Sequence, residues 1–217
     1  MTGSQPPSNS TGVPTDVIVD IGLSDVPYPP DLEHSWGMAV ASTRVTGLAT
    51  ADLVDRRVRV RAARGLLAHT QYIVTLSTNL HSFAGKPLQN AAQVKFVTGA
   101  GPAGGGTAPT LITLRGDVLP VLTESGCANC HSNAQGPAAA GLELDTPEGV
   151  LAAIGKAPAL PGAPPLITRG SHPQSYLMWK ALGLPHTAGH QAPDGIALPH
   201  DPARTLADWI DQGAQDN

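Results

Sequence analysis

Residues 100–109 read Ala-Gly-Pro-Ala-Gly-Gly-Gly-Thr-Ala-Pro. The run has no charge and no hydrophobic period, so it reads as a flexible linker. It divides the 217-residue chain, and each side must build its own core. The expected layout is a polar leader over residues 1–11, a first domain over 12–99, a linker over 100–110 and a second domain over 111–217.

The first half carries strand patterns. Val17-Ile18-Val19-Asp20-Ile21 is β-branched, and Arg57-Val58-Arg59-Val60-Arg61 alternates strictly. Tyr72-Ile73-Val74-Thr75-Leu76 and Val94-Lys95-Phe96-Val97 are further candidates. Turn residues separate them at Pro29-Pro30, Thr46-Gly47 and Gly85-Lys86-Pro87. Short strands at this spacing predict an all-β sandwich. The arginines read first as a solvated strand face, and second as a surface for an acidic partner.

This half resembles the bacterial Ig-like domains of cell-surface and secreted proteins. The resemblance rests on Gly12-Val13-Pro14-Thr15, on the run from Leu67 through Tyr72 to Leu76, on Ala84-Gly85-Lys86-Pro87-Leu88, and on Phe96-Val97-Thr98-Gly99. It implies a spacer or adhesive module, with Tyr72 packing in the core or capping a loop.

The second half reads as all-α. Thr146 can cap a helix that has Pro147 first and Glu148 near its positive end, with Val150, Leu151 and Ile154 buried and Gly155 as the stop. Pro173 opens a second helix through residue 182. Asp201 and Pro202 open a third, in which Leu206, Trp209 and Ile210 share a face and Gly213 ends it. A shorter helix is expected over residues 118–123.

The strongest chemical signal is Cys127-Ala128-Asn129-Cys130-His131, which holds both cysteines of the chain. Two thiols three apart fit one helical turn and can reach the two vinyl groups of a haem. The adjacent imidazole of His131 then falls under the iron as proximal ligand, so the run reads as a covalent haem c attachment site. Two other readings stand beside it. A Cys127–Cys130 disulfide of the thioredoxin type would normally follow a strand in a βαβ pattern, and none is visible upstream. A structural zinc site needs four ligands, and a second cysteine pair is absent.

The second half also resembles the small monohaem cytochrome c domains of bacterial periplasmic and surface proteins. The resemblance rests on the Cys127–His131 run, Gly141-Leu142-Glu143-Leu144, Pro147-Glu148-Gly149-Val150, Ser175-Tyr176-Leu177-Met178-Trp179-Lys180 and Asp208-Trp209-Ile210-Asp211-Gln212-Gly213-Ala214. It implies one haem and an electron-carrying role. The family's distal methionine falls on Ala192, which cannot bind iron. His190 is the expected distal ligand instead, with His186, a vacant position or Met178 as alternatives. His172 and His200 read as loop residues.

The formal net charge is −4 and no basic stripe is present, so nucleic acid is not an expected partner. No apolar run is long enough for a transmembrane helix. Haem attachment outside the cytoplasm implies a periplasmic or cell-surface location, with a signal peptide removed and a surface or lipid tether allowed at the start. The leading functional expectation is an exported electron carrier serving redox partner proteins, with no substrate turnover. A haem-based sensor or peroxidase-like protein with an open distal site, and a surface interaction protein with an accessory haem domain, are the alternatives.

Overall fold

The computed structural model describes residues 1–104, 108–134, 136–185 and 197–217. They form two compact units, Met1–Ala108 and Pro109–Asn217.

The first unit is a β-sandwich. Its strands are β1 (Gly3–Gln5), β2 (Ser10–Val13), β3 (Ile18–Gly22), β4 (Trp36–Val40), β5 (Thr43–Arg44), β6 (Gly47–Asp52), β7 (Arg57–Ala62), β8 (Gln71–Leu76) and β9 (Ala92–Thr98). One sheet runs β1-β3-β7-β6 and the other β2-β9-β8-β4-β5. Period-two alternation sends Val19, Ile21, Val58 and Val60 from one sheet, and Met38, Val74, Leu76, Val94 and Phe96 from the other, into a common core. Residues 1–11, expected as a polar leader, contribute to two strands. Gly3–Gln5 pairs antiparallel with β3, and Ser10–Val13 pairs parallel with β9.

One alternating arginine departs from the solvated face expected of it. The Arg59 guanidinium reaches Asp20 at 3.0 Å and the fully buried Asp52 at 2.9 Å. A corner locks the far end of the sandwich. The Leu67 N–H donates to the Tyr72 hydroxyl at 2.9 Å, and Thr98 Oγ1 donates to the Leu67 carbonyl. The Tyr72 ring stacks on Phe96 at 5.9 Å.

The second unit is not the all-α cytochrome-like domain expected from the sequence. Among the described residues its helices are α1 (Leu119–Glu124), α2 (Pro147–Ala152), α3 (Tyr176–Ala181) and α4 (His200–Asp211), and of these α4 alone is longer than six residues. A π turn over Leu114–Val118 leads into α1. The physical reason is punctuation. Among the described residues, glycines at positions 126, 141, 155, 170, 183 and 213 hold positive φ, which ends a helix. Prolines between them withhold the donors that would extend one.

Local signals fared unevenly. Thr146 caps α2 by accepting from Gly149 N at 3.1 Å, with Pro147 first. The helix expected from Pro173 is broken: His172–Gln174 forms a separate 3-10 turn and α3 starts at Tyr176. α4 starts at His200 rather than after Asp201, with Pro199 before it. The core collects Leu114, Val118, Leu122, Val150, Ile167, Met178, Leu206, Trp209 and Ile210.

Candidate functional site

The two cysteines follow α1 directly. Gly126, at φ +79°, stops that helix, and a 3-10 turn over Cys127–Asn129 follows. The turn closes when His131 N–H donates to the Cys127 carbonyl at 3.1 Å. Both thiols are free; Cys127 is half-buried and Cys130 is exposed. Burial pushes the Cys127 thiol above its ordinary pKa, and a hydrogen bond from its own backbone only partly opposes this.

The chain after the turn folds back as a clasp. Ala139 N–H donates to the Cys130 carbonyl at 2.8 Å, and Leu144 N–H donates to the His131 carbonyl at 2.7 Å. Asn133 Oδ1 accepts from Ala138 N–H at 2.9 Å, and the Ser132 hydroxyl donates to Asp145 Oδ2 at 2.5 Å. The most informative contact is between His131 Nδ1 and the Ala139 carbonyl, at 3.0 Å. A carbonyl oxygen only accepts, so Nδ1 carries the hydrogen, and Nε2 of the neutral ring keeps its lone pair. This is how metal-ligating histidines are oriented.

The other expected ligands fare differently. His186 and His190, with Ala192, lie outside the described residues, so the expected distal ligand has no described position. Met178 is fully buried in α3 and belongs to the core. His172 is not a loop residue open to solvent. It is buried, and Asp211 takes its N–H at 2.8 Å and its Nδ1 at 2.8 Å. His200 is exposed beside Asp201. Among the described residues, no group of three His, Cys, Asp or Glu side chains stands close enough to hold a metal ion together.

The Ala139 carbonyl and the Asp145 carboxylate, which order the clasp, had no sequence signal. They lie eight and fourteen residues beyond His131, in a Gly-, Ala- and Pro-rich stretch with no period.

No family model matches the chain, and no curated protein does. Several solved structures share part of its shape. PcoC, a copper resistance protein from Escherichia coli, is 12% identical with a TM-score of 0.36, over 45% of this chain and 97% of that one. CopC from Methylosinus trichosporium OB3b is 14% identical with a TM-score of 0.37, over 49% and 96%. Domains 1–6 of the surface layer protein SbsC are 12% identical with a TM-score of 0.33, over 52% and 14%. At these values the likeness assigns this chain no ligand.

These findings correct the sequence expectations. Neither the bacterial Ig-like resemblance nor the cytochrome c resemblance is met by a matching family model. The helical domain that would enclose a haem is replaced by short helices and turns, with Cys130 exposed just after a 3-10 turn. The haem c cofactor, the electron-carrier role and the haem-sensor and peroxidase alternatives fall with it. The expectation about membranes holds in its coarse form: no helix of the described residues is long and apolar enough to cross one.

Proposed function

We propose that the second unit binds one soft, thiophilic cation of the Cu(I) class through Cys127 and Cys130. The observation that carries this reading is the pair of free thiols at the start and just past the end of one short turn, Cys127 half-buried and Cys130 exposed. Thiolates are donors suited to soft cations. Two thiolates alone satisfy a d10 monovalent ion, so the site does not depend on a third group standing ready. Each thiol must lose its proton to the solvent as the metal–sulfur bond forms, so binding and pH are linked.

The raised Cys127 thiol favours this reading over dithiol–disulfide exchange. An exchange catalyst needs a thiol pushed down by a helix N-terminus or a neighbouring cation. Here burial pushes Cys127 up, and the turn that carries it is only three residues long. A periplasmic or cell-surface location belongs to the same proposal. In an oxidising compartment the pair would close into a disulfide unless a metal holds it.

The test is competition for Cu(I) with a chromogenic chelator under reducing, anaerobic conditions. The expected result is one Cu(I) per chain, lost in Cys127→Ser/Cys130→Ser. Equal Cu(I) uptake by the wild type and the double variant would overturn the proposal.

A further inference from the structure

The alternating arginines of β7 are placed by strand register. Arg61 stands opposite Ile18 of β3 and Leu48 of β6. Arg59 stands opposite Asp20 and Thr50, and Arg57 opposite Gly22 and Asp52. Directly paired residues of antiparallel strands share a face. Val58 and Val60 fill the core, so the three arginines lie on the outer face of this sheet.

The Arg61 row is largely apolar. Ile18 is 45% exposed and Leu48 65%, and the arginine between them is exposed as well. Ile18 also borders a groove of about 520 Å³, lined mostly by proline and aliphatic side chains. These residues form a patch and not scattered single side chains.

The charges of the face do not cancel. Its two aspartates, Asp20 and Asp52, both bind Arg59. Among the described residues, Arg57 and Arg61 have no carboxylate partner. In the segments just outside the Arg61 row, residues 14–17, 44–46 and 62–65, the charged groups are Asp16, Arg44 and Arg64. Asp16 accepts from the Ala103 N–H at 2.7 Å. The patch is apolar with an excess of positive charge.

Charge complementarity selects the occupant. A second copy laid on this face would bring two positive faces together. Two free guanidiniums are too few for an anionic membrane, which takes clusters of about 4–8 basic residues. A carboxylate set among apolar side chains suits both Arg61 and its two neighbours. Arginine beside apolar groups is also the composition enriched at protein interfaces.

We propose that the Ile18–Arg61–Leu48 row docks a partner protein through a segment that presents carboxylates among apolar side chains, with Arg57 as a second carboxylate contact. The experiment is an NMR titration of the full chain, labelled with nitrogen-15. The probe is a soluble peptide of glutamates flanked by leucines, and its glutamine and lysine counterparts are the controls. The glutamate peptide is expected to shift amides of β3, β6 and β7 together, with binding weakened by added salt. Arg57→Gln/Arg61→Gln is expected to bind it about fivefold more weakly. Its Tm should be unchanged, because neither side chain has a carboxylate partner to lose. Leu48→Ser is also expected to weaken binding, by removing apolar contact and no charge. Four results would overturn the proposal: no response at these strands, an equal or stronger response to the lysine or glutamine peptide, wild-type affinity in both variants, or tighter binding to phosphatidylserine vesicles than to the glutamate peptide.

Discussion

Replacing Arg59 by leucine removes the guanidinium that reaches Asp52 at 2.9 Å and Asp20 at 3.0 Å. Asp52 has no exposed surface, so the substitution leaves a carboxylate in a dry site. Removing one partner of a buried pair costs about 3–5 kcal/mol. Two features reduce that here. Arg59 is itself 37% exposed, and Asp52 Oδ1 still accepts from Val54 N–H and Asp55 N–H. The Asp20 contact, nearer the surface, adds less than about 1 kcal/mol. The expected loss is therefore about 2–3 kcal/mol. For a unit of this size, each kcal/mol moves Tm by about 4–8 °C, so calorimetry should show a fall on the order of 10–20 °C. The companion variant Asp52→Asn/Arg59→Leu keeps an oxygen for the two backbone donors but carries no charge. It should recover much of the loss. A double variant as unstable as Arg59→Leu would refute the argument, because the deficit would then come from lost packing and not from the lost ion pair.

Other outcomes follow from the same contacts. Cu(I) affinity should rise with pH by about tenfold per unit for each thiol proton released. Because Cys127 is raised, that rise should continue beyond the range of an ordinary thiol; a flat profile from pH 6 to 9 would contradict it. The sign reverses for the stability of the metal-free protein. Its full value holds while the unfolded thiol is protonated, and part is lost as pH rises through the folded Cys127 value. Cys127→Ser should remove that part of the alkaline decline, as seen in urea denaturation at pH 8 and above. At the acid end, Asp117 is held below the usual carboxylate range by the Thr113 backbone N–H and then by the Thr113 hydroxyl. Its contribution is present above that range and disappears as pH falls through it, so Asp117→Asn should flatten the acid limb of a Tm-against-pH curve.

Much of the sandwich could be read from the sequence, and particular residues show why. Valines 58 and 60 alternate with arginines, and the pattern alone assigns β7 its two faces. Trp36–Val40 and Gly47–Asp52 were illegible because neither carries a β-branched alternation. They become strands by pairing with β8 and β7, a tertiary effect. The helix expected from Pro173 is shorter than its apolar spacing implies, because the backbone makes a 3-10 turn over His172–Gln174 before α3 begins. In the candidate site the side chains were legible and their supports were not. Cys127, Cys130 and His131 announce themselves by type. The Ala139 carbonyl that fixes the His131 tautomer is a backbone group that every residue has.

The most direct test of the central claim is thiol alkylation of the whole protein, with and without one equivalent of Cu(I), read by intact mass under denaturing conditions. The account predicts that Cys127 and Cys130 are both alkylated in the metal-free protein and both protected by a single equivalent. Unprotected thiols in the presence of Cu(I) would contradict it. So would a polypeptide from an exporting host whose mass carries a covalent haem and leaves no thiol to alkylate.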